Sequence, residues 1–160
     1  MSTLSVDTIQ GKTTSGTITI PNHVVQVVTH TFSDAFSWNS GGEITTTSFT
    51  ITPKTSTNKI HLFGVCGHYS AGDSNAWSAT WTNTIFNGST KVFQSEHDGI
   101  ITGNVNTSST VGFNCPIATN ATAGTPITIT HKVNLTTGTA THQLNRSPRT
   151  TEFIVMEIAQ

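Results

Sequence analysis

Thr125-Pro-Ile-Thr-Ile-Thr-His-Lys-Val-Asn-Leu135 sets Ile127, Ile129, His131, Val133 and Leu135 on one side of an extended chain and Thr128, Thr130, Lys132 and Asn134 on the other. Successive side chains of a strand point to opposite faces, so this period of two predicts a strand with one face in a core. The same alternation of short apolar residues with Thr, Ser and Asn runs from His23 to the C-terminus. Only 9% of the residues are charged, where an ordinary soluble domain carries about 25%. A chain this poor in charge lacks the usual means of staying apart from its neighbours. Much of its outer surface is therefore expected to meet other protein.

Working outward, His23–Phe32 is a strand with Ala35–Trp38 as a short continuation, and Glu43–Thr52 alternates until Pro53 and the polar run Lys54–Asn58 stop it. Lys59–Tyr69 carries Ile60, Leu62, Gly64, Cys66 and His68 on one face and is largely apolar on both, which predicts a central strand. Gly64 and Gly67 predict that something packs closely across it. Ala76–Phe86 aligns Trp77, Ala79, Trp81, Asn83 and Ile85, and Asn87-Gly88 predicts a type I′ hairpin into Thr90–Ser95. Residues 97–105 read as a loop, and Thr107–Ile117 as a strand ending near Pro116. Thr139–Asn145 reads as pairing back on Thr125–Leu135 through Thr137-Gly138. Thr150–Ala159, apolar on both faces, is the closing central strand.

No stretch reads as a helix. About ten short strands separated by turns predict an all-β, two-sheet antiparallel jelly-roll sandwich. It spans residues 23–160. Residues 1–22 read as an extended N-terminal attachment arm. Its Leu4, Val6 and Ile9 cannot form a core alone and are expected to lie as an extended strand on a neighbour.

A net charge of -1 and a pI near 6.6 supply no footprint for nucleic acid. No apolar run approaches the ~18 residues that span a bilayer, and Met1-Ser-Thr-Leu-Ser-Val-Asp7 does not read as a secretory signal. Cys66 and Cys115 make no disulfide framework and are expected to be buried free thiols, in a protein folded in a reducing cytoplasm. No cofactor is expected.

The motifs that carry chemistry are weak ones. There is no Gly-x-Ser-x-Gly elbow, and only Asp7, Asp34, Asp73 and Asp98 are available to orient a histidine. Among the carboxylates, Glu43, Glu96, Asp98, Glu152 and Glu157 are the candidates for glycosidase chemistry. Glu152 and Glu157 fall on opposite faces of one strand by parity, and Glu96-His97-Asp98 reads as a solvated turn. Cys66-x-His68 would project from one face about 7 Å apart, with Cys115 and His131 as remote further ligands. Buried core residues are the better reading, and no metal is expected. Asn87-Gly-Ser, Asn106-Thr-Ser, Asn120-Ala-Thr and Asn134-Leu-Thr match the glycosylation pattern as by-products of composition. Trp77 and Trp81 on one strand face fit either core packing or a subunit interface. His131, mid-strand on an apolar face, is a candidate to join them at a threefold axis, where its titration would make assembly pH-sensitive.

Val24-Val-Gln-Val-Val28 and Phe49-Thr-Ile-Thr-Pro53-Lys-Thr-Ser-Thr-Asn-Lys-Ile60 resemble a recurring pattern of virion proteins of marine tailed bacteriophages. So do the opening Ser2-Thr-Leu-Ser-Val-Asp-Thr-Ile-Gln10 and the ending Leu144-Asn-Arg-Ser147 with Phe153-Ile-Val-Met-Glu-Ile158. Residues 71–120 depart from the pattern. The resemblance implies a non-enzymatic, homotrimeric structural protein of the virion, with Leu4, Val6 and Ile9 attaching it to other virion proteins. The strand count also resembles the tumour-necrosis-factor-like jelly roll, in which three subunits pack through one sheet. By that analogy the first, Trp77-containing, Ile127-containing and last strands would share the sheet facing the axis. Trp77, Trp81, His131 and Phe153 are then the candidate trimer contacts. Three functions compete: a capsid decoration or cement protein bound to the major capsid protein, a short tail fibre or spike, and a small hydrolase of host polysaccharide. A fibre or spike would bind host surface glycan through loops at residues 70–76, 87–89 and 97–106.

Overall fold

The computed structural model describes residues 22–38, 41–71, 77–101, 106–137, 141–145 and 150–160. Leu4, Val6 and Ile9 lie outside these. Ten strands follow in chain order: β1 (Val24–Phe32), β2 (Phe36–Trp38), β3 (Ile44–Ile51), β4 (Lys59–Ala71), β5 (Trp77–Asn87), β6 (Thr90–Ile101), β7 (Asn106–Ala118), β8 (Ile127–Thr137), β9 (Thr141–Leu144) and β10 (Thr151–Ile158). No helix occurs among the described residues. The front sheet runs β1-β10-β4-β9-β2 with β7 on the other edge of β4, and the back sheet runs β3-β8-β5-β6. All the pairings are antiparallel, and the two sheets close into a jelly-roll sandwich.

β4 organises the front sheet because it is long enough to serve two partners on one edge. Its residues 59–65 pair with β10, its residues 68–71 pair with β9, and β7 pairs along the opposite edge. β4 and β10 are both interior to the sheet, as their sequences predict, although Phe63 and Val65 on the outer face of β4 stay exposed. β7 is an edge strand and runs through Pro116 to Ala118, whereas the sequence reading stops it near the proline. Proline is tolerated on an edge because it need not donate to a ladder there.

Gly64 is where the sheet is tightest. It pairs with Phe153 of β10, and a Cβ at this position would stand 2.7 Å from Phe153 Cδ1 and 2.8 Å from the Glu152 carbonyl oxygen. The Phe153 ring occupies the space that a side chain on residue 64 would need. Around it, Phe49, Phe113 and His131 place their ring centroids at 5.6, 5.5 and 5.6 Å. One aromatic residue thereby fills the middle of the sandwich from the front sheet and touches both sheets.

The end at which the chain enters, the near end, is closed by polar contacts. Asn22 N donates to the Ala159 carbonyl, and residues 53–58 are zipped to residues 121–124 through Thr57 N to Ala121 O, Ala121 N to Asn58 O and Gly124 N to Pro53 O. Beneath them Glu157 is fully buried. Its carboxylate accepts from Gln26 Nε2 at 2.7 Å, Asn58 Nδ2 at 2.8 Å, Thr55 N at 3.0 Å and Lys54 N at 3.0 Å. Burial by itself raises the carboxyl's pKa, but the backbone donors of Lys54 and Thr55 and the amides of Asn58 and Gln26 together hold it below the ordinary value.

Four local expectations need correction. β6 continues through His97 and Asp98 to Ile101, so the loop expected from residue 97 is strand. β9 does not pair back on β8: both edges of β8 are occupied, by β3 and β5, so β9 crosses to the front sheet and fills the gap between β2 and β4. The hairpin after β5 has Asn87 opposite Thr90, with a positive φ of 56° at Gly88. Asn87 and Ser89 are outside the positive-φ set, so the pattern is that of a type II′ turn with glycine first. Finally, β1 and β10 lie in one sheet and β5 and β8 in the other, so the four strands grouped by analogy do not share a face.

Two stability measurements check this construction. Gly64→Val should destabilise the domain by about 1–3 kcal/mol, read by urea unfolding, because the inserted side chain collides with the ring of Phe153 and with backbone. Glu157→Gln should lower stability at pH 7 by about 1.5–3 kcal/mol, the worth of a hydrogen bond to a charged group. Because the folded pKa is depressed, the native advantage is present above the unfolded value of 4.5 and disappears as the pH falls through the folded one. The two unfolding curves should converge in acid.

Candidate functional site

The strand ends at Ala71, Trp77, Ile101, Asn106, Thr137 and Thr141 gather at the far end, opposite the chain entry, through the pairs Ala71–Asn106, Ala71–Thr141, Trp77–Ile101 and Thr80–Thr137. Just inside this end, five rings form a row across both sheets. His97 of β6 stacks on Trp81 of β5 at 5.9 Å, and Trp81 stacks on His68 of β4 at 4.3 Å with the planes 12° apart. His68 packs against His142 of β9 at 5.2 Å, and His142 stacks on Trp38 of β2 at 5.3 Å. Register brings them together: Trp81 is paired with His97 and Trp38 with His142. His142 Nδ1 and His68 Nε2 are 3.2 Å apart, so one ring donates to the other.

Burial drives the titration of this row. His68 is pushed down to about 3 by burial, reinforced by His142 and then His97, and His142 to about 4 by burial. His97 is lowered by burial against an opposing pull from Asp98. The indole N–H groups of Trp38 and Trp81 and the amide nitrogen of Asn83 are buried with no acceptor among the described residues. The far end is therefore an interior of rings and donors, whereas the near end centres on a carboxylate.

A second feature lies outside. The described large hydrophobic residues that remain exposed are Val24 and Val27 on β1 and Phe63 and Val65 on β4, all in the front sheet. Val27 is 53% exposed, Val65 47% and Phe63 37%. Ile154 and Met156, on the intervening β10, pair with Phe63 and His61 of β4 and with Thr29 and Val27 of β1, so the apolar residues join into one stripe. A hollow of about 310 Å³ opens in it, lined by Phe63, Gly64, Val65, Phe113, Glu152 and Ile154.

The residues singled out in the sequence fall as follows. Trp81, His131 and Phe153 are buried inside their own chain, at 4%, 0% and 0% exposure, so their side chains have almost no surface to offer a sister subunit. His131 is a hydrogen-bonded core histidine, with Thr46 Oγ1 2.7 Å from Nδ1 and Asn83 Oδ1 3.2 Å from Nε2, and burial lowers its pKa to about 3. Trp77 opens β5, and its side chain lies outside the described set, as do Leu4, Val6 and Ile9. Cys66 and Cys115 are buried free thiols, raised by burial to about 12 and about 11. Cys66 Sγ donates to Asn83 Oδ1 at 3.7 Å, whereas His68 faces Trp81 and His142. Among the described residues no three His, Cys, Asp or Glu side chains gather as a metal-binding group.

The carboxylates scatter as well. Glu96 and Asp98 are exposed on the outer face of β6 and His97 turns inward, so this triplet is split by strand parity. Glu152 lies on the outer face of β10 and Glu157 on the inner one. The sequence reading missed the exposed stripe, Trp38 and the His68–His142 pair. Cys66-x-His68 is the available signal for the last: the expected burial of both side chains is found, and the neighbouring His142 is the part that spacing along one strand does not carry.

No known protein family and no curated protein matches this chain. Among solved structures, dimeric latent PorU from Porphyromonas gingivalis is similar at a TM-score of 0.55 and 12% identity, over 94% of this chain and 14% of PorU. Eiger TNF from S. frugiperda gives a TM-score of 0.48 at 9% identity, covering 84% of this chain and 94% of that one. The VP2 subviral particle of infectious bursal disease virus gives 0.48 at 14% identity, covering 99% and 37%. The chain thus spans only a small part of PorU. At these identities the likeness to PorU is one of fold: a two-sheet β-sandwich.

Phe153→Ala should cost about 3–5 kcal/mol, as truncating a buried phenylalanine does. Because the ring packs within one chain, the loss read by thermal or urea unfolding should not depend on protein concentration.

Proposed function

We propose that this protein is a non-enzymatic structural subunit of a bacteriophage virion: a homotrimeric capsid decoration or cement protein held to the particle through residues 1–22. The observation that carries the assembly reading is the exposed apolar stripe on the outer face of the front sheet. Val27, Phe63 and Val65 stand out from it and Ile154 and Met156 continue it. A contiguous exposed apolar patch marks an interaction surface, and the low charge around this one suits contact with protein. The occupants proposed are the same faces of two sister copies, the three meeting around a threefold axis. The virion setting is supported by the resemblance of the chain's two ends to phage virion proteins. The low charge content supports a subunit whose working state is packed against others.

The trimer contacts proposed in this reading differ from those expected from sequence. Trp81, His131 and Phe153 serve the core, and Val27, Phe63, Val65 and Ile154 replace them on the surface. A short tail fibre or spike protein that binds host surface glycan remains the second reading. One observation favours it in narrower form: the strand ends flanking residues 72–76 and 102–105 lie at the far end, opposite Asn22. The 87–89 turn is not part of that surface. Gly88 N donates to Thr128 O and Asn87 Nδ2 to Ile117 O, which places it at the near end.

Phe63→Glu together with Ile154→Glu should convert the purified protein from a trimer to a folded monomer in sedimentation equilibrium. A mass unchanged by these substitutions would sink the interface. Removing residues 1–22 should leave the domain folded and unable to join particles, and counting copies per particle separates the two readings. Hundreds of copies indicate the shell, and about a dozen indicate the tail.

A further inference from the structure

We infer that the far end of the sandwich is a proton-operated latch, in which charging the His68–His142 pair parts the two sheets there while the near end stays closed. The geometry supplies the mechanism. The ring row is the contact that joins β5 and β6 of the back sheet to β4, β9 and β2 of the front sheet at this end. His68 sits at the junction, stacked on Trp81 across the gap and 3.2 Å from His142 on the adjacent strand. In the neutral pair one ring's N–H meets the bare nitrogen of the other, so each added proton puts a positive charge into the core, and the second stands beside the first.

The groups that surround the pair offer no negative charge from the described interior. β6 contributes His97, β4 contributes Cys66, β5 contributes the Trp81 indole and Asn83, β2 the Trp38 indole, and β8 contributes His131 deeper in. From β7 the inward side chains nearest this end are Val111 and Phe113, and from β10 Thr151 and Phe153, none of them charged. Asp98 lies outside on β6, where it accepts from the Thr80 hydroxyl at 2.7 Å, and Glu157 is engaged at the near end. Protonated rings therefore gain most by reaching water. The strands that must move are the short ones: β9 has four residues and β2 has three.

The sign follows from burial. Both histidines bind protons less readily folded than the ordinary value of 6.5, so closure is fully stable above that value and weakens as the pH falls toward 4. Each freed histidine favours the open end by about tenfold per pH unit in that window. Glu157 acts at the other end, and only below 4.5.

Hydrogen exchange on the full-length protein, corrected for the intrinsic effect of pH, tests the latch. Between pH 7 and pH 5, protection over residues 66–71 and 141–145 should fall at least tenfold, while residues 60–64 and 153–158 keep theirs. The double variant His68→Gln with His142→Gln, folded at pH 7, should retain its far-end protection at pH 5. Glu157→Gln should leave the far-end acid response in place. Equal loss across the whole domain, or an unchanged far end in the native protein, overturns the proposal. So does a folded double variant that still loosens in acid. Should the double variant not fold, the native protein and Glu157→Gln decide the matter. None of these readouts depends on particle assembly, so failure here is distinct from failure of the virion reading.

Discussion

The contact of the Phe153 ring with the bare backbone of Gly64 is the constraint on which the rest of this fold depends. Two neighbouring strands at the centre of the front sheet approach with one side chain absent, and the other strand's ring lies over the vacancy at a distance no Cβ would tolerate. That ring then reaches Phe49 and His131 of the back sheet and Phe113 of β7. It sets the spacing of the sheets at mid-height. A substituent on residue 64 would push the ring out of register with all three neighbours, so the glycine is a packing requirement and not a point of backbone freedom.

From this centre the two ends of the sandwich are built by different chemistry. The near end is closed by backbone hydrogen bonds between two loops and by a buried carboxylate that gathers donors from β1 and from the β3–β4 connection. The far end is closed by stacked rings whose imidazoles are kept neutral by burial. A charged acceptor surrounded by donors persists across ordinary pH, whereas neutral imidazoles persist only while protons are scarce. The molecule is therefore chemically polar from end to end even though its net charge is -1.

The same division explains the scarcity of charge. Thr, Ser and Asn cover the outer faces without creating a strong field. The front sheet is left with Val27, Phe63 and Val65 in the open because no helix or loop among the described residues covers it. A surface of this kind is neither core nor ordinary exterior. Its low field lets like faces approach, and its apolar area favours their contact.

Period-two alternation made the all-β class, the strand positions and the two-faced centrality of β4 and β10 legible from the chain alone, because side-chain direction in a strand is a local property. The burial of Cys66 and Cys115 and the close packing at Gly64 were legible for the same reason. Sheet membership was not. β8 alternates cleanly whether its neighbours are β3 and β5 or a returning hairpin, and only the occupation of both its edges sends β9 across to the other sheet. Alternation also says that Trp81, His131 and Phe153 share their faces with apolar residues without saying whether the chain's own second sheet or a sister subunit covers them. That choice belongs to tertiary structure, since a face is buried only when a second sheet is laid against it. The ring row is the furthest case: His97, Trp81, His68, His142 and Trp38 come from five strands and two sheets, and long-range pairing alone makes them neighbours.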